Sequence, residues 1–149
     1  MSDRLDAPLY DAAAAAFEEF TFLFAEPAAD DATGPEEAAA AIEFVGPLRG
    51  TLVVSVSGGL LPSIAANMLG QDQAPAPELQ RDALGELANV ICGSVLPALG
   101  GPSAVFSLGA PRVEPSRAAL VDASRPPIAT AALDLEGGRA DVLWYVDAL

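Results

Sequence analysis

Hydrophobic and polar positions repeat with two periods along the chain, and each change of period marks an element. Residues 9–24, "LYDAAAAAFEEFTFLF", combine strong helix formers with a run of aromatics and stop before Pro27, which predicts a helix. The polar, Ala- and Glu-rich stretch "AEPAADDATGPEEAAAA" predicts a mobile connector. "IEFVG" and "TLVVSVS" are β-branched runs separated by Pro47, Leu48, Arg49 and Gly50, the signal of a hairpin with a longer turn. Residues 58–70, "GGLLPSIAANMLG", fit a short helix with Pro62 in its first turn and Gly70 at its end. After the linker "QDQAPAP", residues 78–96 give the longest helical pattern, interrupted by Pro97 and closed by Gly100 and Gly101.

The remainder reads as strands. "SAVFSLGAPRV" is extended, with Pro111 marking an edge or a break, and "AALVDAS" fits no single element. "PIATAALDL" and "ADVLWYVDA" flank Glu136, Gly137, Gly138 and Arg139 as a second hairpin. This order predicts one α+β domain over residues 1–149, an antiparallel-rich sheet with helices packed on one side. An internal pseudo-duplication is one reading of it. Each half would open with a helix starting on an Asp, Asp11 and Asp82, and then carry a strand, a Gly-bearing turn and a strand. The local likeness of all hairpins is the other reading, and the pattern leaves both open.

The long helical pattern "RDALGELANVICGSVLPALGG" raises a sharper question. At roughly 100° per residue, Asp82, Glu86, Asn89 and Gly93 fall on one narrow stripe, while Leu84, Leu87, Ala88, Ile91 and Val95 cover the far side. The stripe therefore points outward. Asp82 and Glu86 pass as solvated surface, but a mid-helix Asn is unfavourable and makes no ion pair. Gly85 beside the stripe and Gly93 on it each cost on the order of 1 kcal/mol against Ala. Glycines there suggest that something approaches the backbone closely. Periodicity leaves a solvated face and a working surface both open.

Composition narrows the chemistry. With 52% hydrophobic residues and a mean hydropathy of +0.36, the chain can bury a sizeable core. Seven basic residues, all Arg, against 21 acidic ones give a net charge of −14, which disfavours nucleic acid and anionic membrane surfaces as partners. The absence of His removes Ser-His-Asp and Cys-His nucleophilic sites and His-ligated metals. One cysteine, Cys92, allows no intramolecular disulfide and no thiolate cluster; it reads as a small core residue. The start, "MSDRLDAPLYDAAAAAF", mixes acids into its apolar run and is no signal peptide. No segment reads as long enough to span a membrane, and the expected location is the cytoplasm.

"DALGELANVICG" resembles the signature helix of the CheC/CheX/FliY-type chemotaxis phosphatases, Asp-x-x-x-Glu-x-x-Asn, here Asp82, Glu86 and Asn89. "GTLVVSVSGGLLPSIAANMLG" is similar to the strand and helix before that motif, and "FSLGAPRV" to the extended segment after it, so the resemblance runs from about Phe44 to about Val113. It implies a CheC-like fold and hydrolysis of the phosphoaspartate of a CheY-like response regulator. Glu86 would contact a basic residue of the partner, and Asn89 would orient a water in line with phosphorus. Asp82, Gly85 and Gly93 would support them. The chain would need no metal or cofactor of its own, because the Mg²⁺ belongs to the response regulator. The absence of a second Glu-x-x-Asn on the first helix resembles the single-site CheX-type members, which are dimers; a homodimer is therefore expected. A non-catalytic module of the same fold that binds response regulators is the alternative.

Three other features have bland readings. Phe17, Phe20, Phe22 and Phe24 are expected in the core, with a dimer contact as the lesser option. "SGG", Ser57 to Gly59, could hold an anion at a helix start but has no P-loop Lys and reads as a turn. "GGPS" and "EGGR" are turn chemistry.

Overall fold

The computed structural model describes residues 3–28, 35–122 and 124–147. Helix α1 (Asp3–Ala16) continues into one wide π turn, Phe17–Thr21, where the buried Thr21 hydroxyl donates to the Phe17 carbonyl at 2.6 Å. Short strand β1 (Glu26–Pro27) leads on to β2 (Glu36–Val45) and β3 (Arg49–Ser57). Helices α2 (Leu60–Leu69) and α3 (Pro77–Gly100) follow, then β4 (Ser107–Leu108), β5 (Arg112–Glu114), β6 (Ala129–Leu135) and β7 (Gly138–Val146). Among the described residues all strand pairings are antiparallel, in the order β1-β6-β7-β3-β2-β4, with β5 also on β2. The expected α+β architecture is present, with both hairpins; they join through β3 and β7, from Gly50 opposite Val146 to Ser57 opposite Arg139.

Strand β2 corrects the expected connector. Its "EEAAAA" is made of helix formers, yet Ala38 to Ala41 are all buried. Ala38 and Ala40 face the helices, whereas Ala39 and Ala41 face a second small cluster on the other side of the sheet. A strand covered on both faces loses the alternation that identifies strands, and its small side chains fit between two layers. The rest of the expected connector, residues 29–34, lies outside the described residues.

The main core lies between the helices and one sheet face, around Trp144, Phe17, Phe44, Leu52, Ile64, Leu84, Leu87, Ile91 and Leu133. The opposite face carries Ala39, Ala41, Val53 and Tyr145, with Leu120 and Val121 packed onto them. The segment bearing Leu120 and Val121 includes a short 3₁₀ turn, Arg117–Ala119, and is pinned at one end by Glu36. The Glu36 carboxylate accepts from the Ser55 hydroxyl (2.5 Å), the Ser116 hydroxyl (3.0 Å) and the Arg117 N–H (3.0 Å). At the other end Arg125 pairs with Asp147 at 2.5 Å and lies over the Tyr145 ring.

Several ends differ from the sequence reading. Helix α1 begins at residue 3, so Asp11 lies within it and opens nothing. Phe17 is buried, but Phe20 is exposed on the outer side of the π turn, and Phe22 and Phe24 are exposed where the chain leaves the helix, with Phe22 at φ 59°. The N-terminus of α2 is taken by the chain itself: the Glu37 carboxylate accepts from the Leu60 and Leu61 N–H groups at 2.8 and 3.1 Å. Gly70 closes α2 in the left-handed region at φ 67°, as expected. Helix α3 starts at Pro77 and runs through Pro97 to Gly100. At 24 residues it is long and apolar enough to cross a bilayer, contrary to expectation, but half of its most apolar window is buried inside the fold.

Candidate functional site

The central part of α3 is fixed by its apolar side. Leu84, Leu87, Ala88 and Ile91 are fully buried against the sheet and the neighbouring helices, with Cys92 and Val95 beside them. That seating turns Asp82, Glu86 and Asn89 to the surface, and all three are exposed. Among the described residues none of the three has a side-chain hydrogen bond or ion pair. By contrast, Glu36 and Glu37 each hold two or more donors.

The second wall of the site comes from the segment after α3, and Phe106 positions it. Its ring meets Phe44 edge-on, with centroids 5.8 Å apart and planes at 78°. A Cβ on Gly46 would stand 2.7 Å from that ring, and one on Gly100 2.9 Å, so both glycines make room for it. From this anchor β4 pairs with Phe44 and Val45, the Gly109 N–H donates to the Glu43 carbonyl, and β5 pairs with Ala39 to Ala41. Pro111 and Val113 are thereby laid along α3. A Cβ on Gly85 would lie 2.8 Å from the Pro111 Cβ and 3.5 Å from a Val113 methyl.

Gly85 is therefore buried, and what approaches its backbone is the chain's own Pro111 and Val113. Gly93 is exposed, with only a Leu108 methyl within 4 Å of a Cβ, at 3.9 Å. Asp82, Gly85, Glu86 and Asn89 line one open groove of about 330 Å³ together with Arg81, Pro111 and Val113. Gly93 belongs to a second, smaller depression with Phe106 and Leu108. Arg81, Pro111 and Val113 escaped the sequence reading; the unexplained Gly85 was the one signal pointing to them.

Asp82 lies a turn beyond the start of α3, where the first-turn acid is Glu78, so it does not cap the helix. Beneath the stripe, burial pushes the Cys92 thiol up to about 12, which keeps it protonated and removes it as a nucleophile. Chemically the groove offers two carboxylates, a guanidinium, an amide that both donates and accepts, and an apolar wall.

The sequence model of the family "Chemotaxis phosphatase CheX" matches residues 38–119, more than half of the chain, and spans both walls of the groove. No curated protein matches the chain. Among solved structures, the chemotaxis protein CheX from Desulfovibrio desulfuricans is similar at TM-score 0.72 and 16% identity, over 96% of this chain and 99% of that one. CheX from Vibrio vulnificus is similar at TM-score 0.72 and 21% identity, over 93% of each chain. A chain of the CheX–CheY–BeF₃–Mg²⁺ complex from Borrelia burgdorferi is similar at TM-score 0.68 and 12% identity, over 95% of this chain and 97% of that one. At these identities the likeness is one of fold.

Proposed function

This chain belongs to the CheX family of chemotaxis phosphatases, and on that premise we propose that it hydrolyses the phosphoaspartate of a CheY-like receiver domain. The observation that carries the reading is the groove on α3, where Glu86 and Asn89 stand exposed and unpaired among the described residues. The similar Borrelia burgdorferi fold was seen in a complex with CheY, BeF₃ and Mg²⁺, and BeF₃ is a mimic of a phosphoryl group.

Glu86 contacts a basic group on the receiver and sets the angle at which α3 enters. Asn89 holds a water with its amide, accepting through Oδ1 and donating through Nδ2. The water oxygen bonds to phosphorus while the bond from phosphorus to the aspartyl oxygen breaks. The carboxylate leaves with that electron pair, and the water's protons end on the released phosphate. Phosphoryl transfer of this kind passes through a loose transition state, so placing the water matters more than deprotonating it. An amide is suited to this because it needs no particular protonation state. The Mg²⁺ comes with the receiver, and this chain supplies none of its ligands. Gly85 contributes by letting the Pro111 and Val113 wall close on α3. In this reading the chain acts in the cytoplasm as a homodimer, which sedimentation velocity checks.

The decisive experiment follows loss of phosphate from a panel of phosphorylated receiver domains. Wild type should accelerate it for at least one receiver. Asn89→Ala should remove on the order of 100-fold of that acceleration, the cost of a misplaced water, while unfolding free energy changes by less than about 0.5 kcal/mol. Binding of the phosphorylated receiver without faster hydrolysis would overturn the enzyme reading in favour of a non-catalytic module.

A further inference from the structure

Of the residues lining the groove, Arg81 is the one cation, and the sequence stripe does not include it. Its side chain is exposed and among the described residues makes no hydrogen bond or ion pair, although Asp82 and Glu86 line the same groove. The chain carries 21 acidic residues against seven arginines, and Arg81 shares its groove with two carboxylates without pairing with either among the described residues. Arg125 and Arg139 are both held by aspartates. Arg112 is close in sequence to the groove, but it pairs in register with Ala41, on the far face of the sheet. Arg81 is the arginine the groove offers to an outside anion.

Which anion it meets follows from helix geometry. Eight residues separate Arg81 from Asn89, a rise of about 12 Å along α3. A side chain that far from the water-holding amide does not share the phosphoryl group with it. Arg81 instead reaches the rim of the docked partner. A guanidinium presents a rigid fork of donors that matches a carboxylate in bidentate fashion. Resting on the phosphatase reading above, we infer that Arg81 is a docking residue. It pairs with a carboxylate on the receiver surface beside the phosphorylation site, offsetting locally the repulsion that a chain of charge −14 exerts on an acidic partner.

The test uses the full chain and any receiver whose dephosphorylation wild type accelerates, comparing Arg81→Ala, Arg81→Glu and Arg81→Lys. KM should rise about fivefold in Arg81→Ala, the order of one exposed ion pair, and further in Arg81→Glu. Arg81→Lys should recover part of the loss, and kcat should stay within about twofold throughout. Thermal melts of each variant should match wild type, because Arg81 is exposed. An unchanged KM in Arg81→Glu overturns this inference while leaving the phosphatase reading intact. A fall in kcat at constant KM also overturns it, since Arg81 would then act on the reacting group. If wild type neither binds nor dephosphorylates any receiver, the phosphatase reading fails and this inference fails with it.

Discussion

Gly85 and Gly93 lie about two turns apart on α3 in opposite surroundings, and the same substitution should move them in opposite directions. At Gly85 a methyl would press on the Pro111 ring at 2.8 Å. That ring is held by backbone pairing on both sides and cannot swing away. Overpacking of this kind costs about 1–3 kcal/mol, more than the roughly 1 kcal/mol that Ala gains in helix propensity. Gly85→Ala should therefore lower stability by about 1 kcal/mol and Tm by about 3 °C. At Gly93 the nearest atom is an ordinary contact away, so only the propensity remains, and Gly93→Ala should stabilise by about the same amount. Calorimetry of the two variants checks both signs. In sequence these glycines look alike, two costly residues near one stripe. What separates them is a strand more than twenty residues further on. That Glu86 and Asn89 share one exposed face was legible because it depends on spacing within one helix; that Arg81 lines the same groove was not, because it stands off the stripe.

Among the elements, the segment that covers the outer sheet face depends most visibly on one side chain. Burial raises the affinity of Glu36 for a proton. The hydrogen bonds from Ser55, from the Arg117 N–H and from Ser116, with the Arg117 charge, outweigh it and hold the carboxyl below its ordinary 4.5. A carboxylate lowered on folding contributes stability that is present above its unfolded pKa and is lost as pH falls through the folded value. Wild type should lose stability on acidification below about pH 4.5, and Glu36→Gln should lose less over the same interval while starting lower at pH 7. Melting curves from pH 3 to 7 report the difference between the two proteins. Both hairpins were legible, β6–β7 most clearly: Glu136 and Gly137 both take positive φ, the turn that matches strand twist. Strand β2 was not, because helix propensity and a missing alternation both pointed away from it. Its assignment comes from the two layers that enclose it, which no local window contains.

At the scale of the whole molecule, charge governs how partners meet. A net charge of −14 repels an acidic, phosphorylated receiver over distances beyond the groove. Added salt shortens that reach, with a Debye length of about 10 Å at 0.1 M. Under the phosphatase reading, kcat/KM should rise as ionic strength increases from about 0.01 to 0.15 M, and more steeply in Arg81→Glu; initial rates across a salt series check it. Fold class was readable because strand pairs joined by short turns leave few alternatives. The order in which the hairpins join was not, since the pairing of β3 with β7 brings together residues about ninety positions apart.

Cys92 sits on the buried side of the helix that presents Glu86 and Asn89, and it is the one thiol in the chain. With no second cysteine to pair with internally, folding stability carries no term in the redox potential of the surroundings. The thiol is protonated and shielded as long as α3 stays on the sheet. A thiol reagent can reach it only when that helix lifts. The rate of modification of the unaltered protein, compared with that of the unfolded chain, then measures the free energy of opening of the element that bears the groove, with no label introduced.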